Sequence, residues 1–88
     1  MKVEFRESFL RDIRKIKDKV VLEAVKKAIE GVESVEAPAE ITNLKKMHGS
    51  RGYFRIRVGD HRIGLKLESD TVQFIRFLHR KEIYRFFP

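Results

Sequence analysis

The 88-residue sequence predicts a small α+β domain, a helical hairpin near the N-terminus packed on a mostly antiparallel sheet. Three observations carry this. Gly52 to Leu67 holds two alternating runs flanking Gly59-Asp60, a dipeptide suited to a two-residue β-hairpin turn. Upstream, Phe9, Ile13 and Ile16, and then Val21, Val25, Ala28, Ile29 and Val32, recur at helical spacing. Downstream, Thr71 to His79 is apolar on both faces and rich in β-branched and aromatic residues. The expected order is β-α-α-β-β-β in one domain, residues 1–88.

In chain order, Lys2 to Phe5 alternates with Val3 and Phe5 on one side, as a short strand does. A first helix is expected from about Ser8, a candidate cap, to Lys17. Asp18-Lys19 breaks the chain, and a second helix follows from about Val20 to Val32. Helices this close form an antiparallel pair whose apolar stripes cover the sheet. Ser34 to Asn43 has no period and reads as a connector. Leu44 to Gly52, with Lys45, Lys46, His48 and Arg51, reads as a basic loop.

Closing the hairpin at Gly59-Asp60 fixes its register. Val58 then faces His61, Arg57 faces Arg62, Ile56 faces Ile63 and Arg55 faces Gly64. Side chains alternate, so Phe54, Ile56, Val58, His61, Ile63, Leu65 and Leu67 share the inner face. Tyr53, Arg55, Arg57, Arg62 and Lys66 share the outer one. Two arginines directly opposite each other repel, and an anionic ligand relieves that repulsion. In the strand after it, Val72, Phe74 and Leu78 fall on one face and Ile75 and Phe77 on the other. A buried helix is the competing reading of that run. Arg80 to Pro88 is a short tail with Tyr84, Arg85, Phe86 and Phe87.

The charge is asymmetric. Residues 1–42 hold nine Lys/Arg and nine Asp/Glu, whereas residues 43–88 hold eleven Lys/Arg and four Asp/Glu. The whole net charge of +7 therefore sits in the half with the hairpin, which points to an anionic partner such as nucleic acid or an acidic protein segment. The absence of cysteine excludes a disulfide framework and thiolate chemistry. Charges interrupt Met1 to Lys19 every two or three residues, so no signal peptide or membrane span is expected, and the chain reads as cytoplasmic.

The hairpin Gly-Tyr-Phe-Arg-Ile-Arg-Val-Gly-Asp-His-Arg-Ile (52–63) and the segment His-Arg-Lys-Glu-Ile-Tyr-Arg (79–85), with two helices upstream, resemble the RelE/ParE superfamily of type II toxins. Its members often carry Arg-x-Arg-Val-Gly-Asp-Tyr-Arg-Val in the hairpin and His-Arg-x-x-Val-Tyr-Arg at the end of the last strand. The resemblance implies a RelE-like microbial RNase fold and a toxin neutralised by a cognate antitoxin. In the RelE-like branch it implies metal-independent and cofactor-independent cleavage of mRNA in the ribosomal A site, the RNA 2′-hydroxyl attacking the adjacent phosphate. The ParE-like branch instead poisons DNA gyrase, and an inactive member that binds antitoxin or RNA is a third reading. No helix-turn-helix with a basic recognition helix is present, so direct sequence-specific DNA binding without an antitoxin is not expected.

By this resemblance Arg62 and Arg80 match family arginines that stabilise the transition state, and Arg55 and Arg57 stand where well-known members carry lysines. Guanidinium is always charged and bidentate toward phosphate, but it is a poor general base. Proton transfer therefore falls to His79, Tyr84, His48 or His61, with His79 first because it lies in the C-terminal motif. His61 reads as structural and His48 as a solvated loop residue. Tyr84 matches a family tyrosine that stacks on a base or orients the nucleophile. The expected catalytic set is Arg55, Arg57, Arg62, His79, Arg80 and Tyr84. Lys45, Lys46, Arg51, Tyr53, Lys66 and Arg85 are the expected RNA contacts. Gly64, opposite Arg55, leaves that face without a side chain, either so that a backbone or base can approach or to ease packing or twist.

Overall fold

The structure is a computed structural model that describes residues 1–49 and 51–88. It keeps the expected order and adds three elements, a 3₁₀ turn, a strand and a short C-terminal helix. Strand β1 (Lys2–Phe5) leads into helices α1 (Glu7–Arg14) and α2 (Lys19–Ser34). A 3₁₀ turn, Pro38–Glu40, precedes β2 (Leu44–Lys46), β3 (Tyr53–Val58), β4 (His61–Glu68), β5 (Thr71–His79) and α3 (Ile83–Phe86). The five strands form one sheet in the order β1-β5-β4-β3-β2. All contacts between neighbours are antiparallel except β1 with β5.

The β3–β4 hairpin has the register its sequence dictates, from Val58 opposite His61 to Tyr53 opposite Lys66. Gly59 takes φ +58°, which a side chain disfavours and glycine does not. Both helices lie on the inner face. Phe9, Val25 and Val32 pack there against Ile63, Leu65, Val72 and Phe74, and those four strand residues have no solvent exposure.

Helix α1 begins at Glu7, and the Ser8 hydroxyl does not cap it; it donates instead to the Ile75 carbonyl. That bond belongs to a seam along the outer edge of β5. Strand β1 pairs only with Thr71 to Phe74. Beyond it, Asp12 accepts from the Phe77 N–H at 2.9 Å and from both Nε (2.8 Å) and NH2 (3.2 Å) of Arg76. Asp12 is buried at 7 % exposure, so a helix side chain here takes the place of a missing strand. Asp18 is the cap of α2, its carboxylate accepting from the Val20 N–H at 2.9 Å.

Three further sequence expectations change. The basic loop expected over Leu44 to Gly52 contains β2, which pairs Lys45 with Arg55 and Lys46 with Phe54; Ser50 of that stretch lies outside the described residues. The tail contains α3. In β5, strict alternation fails, because the register shifts between Gly64 and Leu65. Gly64 pairs with Arg76 and Leu65 with Phe74, so Ile75 is an extra residue. Phe77 and His79 thereby join Val72 and Phe74 on the helix face, while Leu78 joins Ile75 on the other.

Candidate functional site

The outer face of the sheet is not left bare. A second, smaller core of Met47, Ile83 and Phe87 sits on it, packed against Tyr53, Ile75 and Leu78. Ile83 is fully buried, which docks α3 on the sheet and leaves Tyr84, the next residue, 60 % exposed beside the hairpin arginines.

Those arginines meet around Arg62. Register puts Arg57 directly opposite it. Arg62 NH1 donates to the carbonyls of Gly59 and His61, each at 2.8 Å, so the guanidinium is folded back onto its own turn. Partial burial, then the charge of Arg55, followed by those of Arg57 and Arg80, pull Arg62 below the usual arginine range; Tyr84 opposes them. Burial and the neighbouring like charges both disfavour the charged guanidinium, and an anion bound here would offset both. Arg55 donates through Nε to the Tyr84 hydroxyl oxygen at 3.3 Å and through NH1 to the Asn43 carbonyl at 3.3 Å. The Arg80 N–H donates to the Asp60 carbonyl at 2.8 Å, tying the end of β5 to the hairpin turn and bringing Arg80 to the same corner.

Five of the six expected catalytic residues, Arg55, Arg57, Arg62, Arg80 and Tyr84, are therefore brought together. His79 is not. The extra residue in β5 turns it to the helix face, where its ring lies 5.6 Å from that of His61. Its Nδ1 accepts the Lys81 N–H at 3.1 Å. His61 stacks on Phe77, centroids 4.8 Å apart, as its inward position implied. Burial, and then the charge of His79, lower its pKa below the ordinary histidine value.

The expected RNA contacts divide. Lys45 stands beside Arg55 and extends the cationic row, whereas Lys46 pairs with Phe54 and so belongs to the opposite face. Lys66 is bound to Glu68 at 2.7 Å and lies over the Tyr53 ring at 5.4 Å, forming a separate patch. Arg85 lies over Phe86 at 5.3 Å, and Arg51 is exposed in the turn before β3. Gly64 offers no approach to a base, because its gap is filled by the ring of Phe87. Asn43 is a site residue for which the sequence offers no period or motif. It holds φ +64°, and its side-chain oxygen lies 3.5 Å from Arg57 NH2 while its carbonyl serves Arg55.

This architecture is shared. Residues 3–84 match the family model of the ParE toxin of the type II toxin–antitoxin system parDE. Toxin RelE3 of Methanocaldococcus jannaschii is 37% identical over 89 residues, with the whole of both chains covered. The chain belongs to the RelE/ParE family of type II toxins. A solved RelB–RelE antitoxin–toxin complex from Methanococcus jannaschii superposes with a TM-score of 0.80 at 34% identity, covering 97% of this chain and 99% of that one. The toxin–antitoxin complex RelBE2 from Mycobacterium tuberculosis follows at 0.72 and 27% identity, covering 90% and 96%. The family model bears the ParE name and the full-length relative the RelE name, so membership alone does not choose a target. Among the described residues no helix is long and apolar enough to cross a membrane.

Proposed function

We propose that this RelE/ParE-family toxin is a ribosome-dependent endoribonuclease that cleaves mRNA in the A site. The observation that carries the reading is the convergence of Arg55, Arg57 and Arg80 on Arg62, with the Tyr84 hydroxyl held by Arg55. Phosphodiester cleavage places extra negative charge on the phosphate in its transition state. Fixed guanidinium groups already crowded together are complementary to that charge and gain most when it develops.

In the proposed route the RNA supplies its own nucleophile, without a metal or cofactor. The bond from the 2′-oxygen to phosphorus forms as the bond from phosphorus to the 5′-oxygen breaks. The 2′ proton passes to water, and Tyr84, the proton-bearing group beside the arginines, protonates the departing 5′-oxygen. The products are a 2′,3′-cyclic phosphate and a 5′-hydroxyl. His79, on the other face of the sheet, is not assigned a proton. Lys45 extends the site along the RNA backbone, and exposed Tyr84 and Phe86 offer rings on which unstacked bases can lie.

Two relatives were solved as antitoxin complexes, and we assign this chain a cognate antitoxin of its own. Acidic antitoxin residues would neutralise the outer face, and sequence-specific DNA contact would come from that partner. The ParE name of the matched family model favours a second reading, inhibition of DNA gyrase without chemistry. Expressing the chain and mapping mRNA 5′ ends separates the two. Codon-phased cuts support the nuclease. Intact mRNA with trapped gyrase on broken DNA supports the alternative, and unaffected growth contradicts both.

A further inference from the structure

Tyr84 is mostly exposed and lies on a helix of four residues. So short a helix does not hold itself together in water, so its place must be set by what its neighbours bury. Ile83 anchors its start. Its end is anchored by Phe87, only 4 % exposed although it stands next to the last residue of the sequence. The Phe87 N–H donates to the Ile83 carbonyl at 2.9 Å, so a shift of one is felt by the other.

The seat of Phe87 is specific. A methyl carbon added at Gly64 would lie 2.7 Å from two atoms of the Phe87 ring, closer than carbon atoms approach. The ring therefore rests directly on the backbone of β4. Its far side is closed by Tyr53, edge-on with centroids 5.7 Å apart, and Met47 is buried in the same cluster. Gly64 is the cross-strand partner of Arg55. The ring is thus seated in the row that holds Arg55, whose Nε reaches the Tyr84 hydroxyl.

We propose that Phe87, seated in the notch left by Gly64, is the positioning residue that holds Tyr84 against Arg55. The inference rests on the role given to Tyr84 above for its catalytic consequence and on packing alone for its geometric one. Any side chain at position 64 unseats the ring, frees the end of α3 and withdraws the phenol from the arginines. The helix face is untouched, because Gly64 and Phe87 both lie on the outer side.

The test uses the full chain with Gly64→Ala, and with Phe87→Ala and Phe87→Leu as variants that add no bulk. Tyrosine-ring NMR and amide exchange read the geometry without activity. The expected result is a Tyr84 ring signal moved to the position of a solvated tyrosine and at least tenfold faster exchange at Phe86 and Phe87. Exchange within α1 and α2 should stay unchanged. Cleavage of ribosome-bound mRNA reads the consequence. Phe87→Ala should lower kcat by roughly the ~10²-fold expected for Tyr84→Phe, with KM within about threefold. The two changes combined should cost no more than Tyr84→Phe alone, and Phe87→Leu should restore part of the loss. An unmoved Tyr84 signal in folded Phe87→Ala, or multiplicative losses in the double variant, would overturn the proposal. If the wild type cuts no mRNA, the nuclease reading fails and the NMR result alone decides the positioning claim.

Discussion

Arg57 and Arg62 are direct cross-strand partners on β3 and β4, two like charges on the outer face of one two-residue hairpin. A sheet built for stability would not place them there. Removing one charge should therefore stabilise the free protein. Arg57→Gln is expected to add about 0.5 kcal/mol, a cross-strand pair's typical worth, or about 2–4 °C in Tm for a domain of this size. The same change should weaken toxicity. Thermal melts beside a growth assay check both, and a lowered Tm in Arg57→Gln would show that the repulsion is already relieved in the free chain.

The two proton-transfer candidates of the C-terminal motif should behave oppositely. Tyr84→Phe removes the hydroxyl that Arg55 contacts and should lower kcat by ~10²-fold, within the usual range for general acid–base groups. His79→Ala should keep kcat within about threefold, because its ring faces His61 across the sheet from Arg62. Single-turnover cleavage of ribosome-bound mRNA measures each.

These two residues also show where the sequence is legible. The hairpin register follows from one turn dipeptide and a period of two, and every pairing from Tyr53 to Val58 obeys it. His79 required one fact more, the extra residue at Ile75, which has no signature in a run of apolar residues. Strand β2 was hidden for a related reason. Three residues, two of them lysines, become a strand only because β3 offers them an edge. Asp12 looks like any polar position on an amphipathic helix until the end of β1 leaves the Phe77 N–H unpaired. Asn43 has the residue type that tolerates positive φ, but nothing in the sequence says that two arginines will meet it.

Asp12 should be the most sensitive polar position of the fold. Asp12→Ala leaves Arg76 and the Phe77 N–H without their partner. The expected loss is about 2–4 kcal/mol, typical of a broken buried ion pair with an orphaned donor. Urea unfolding measures it, and Asp12→Asn should recover part because its amide oxygen still accepts the N–H.

Stability should depend on His61 at mildly acidic pH. Its folded pKa lies below the ordinary value of 6.5, with burial as the main cause. The unfolded chain then takes up a proton before the folded one does. The contribution is complete above pH 6.5 and is lost as pH falls from there through the folded pKa. His61→Phe keeps a ring against Phe77 and removes the titration. Between pH 7 and 5 the wild type should lose more Tm than this variant, and equal losses would assign the dependence to carboxylates.

The phosphate-binding role of the Arg62 cluster is tested most directly by cleavage of a programmed mRNA on purified ribosomes. The wild type is compared with an Arg62→Ala, Arg80→Ala double variant whose folding has been verified. The wild type should cut in the A site and leave a 2′,3′-cyclic phosphate and a 5′-hydroxyl. The double variant should lose activity by at least ~10³-fold, the scale on which removed charge stabilisation is felt. Cleavage by the folded double variant at near wild-type rate would contradict the account.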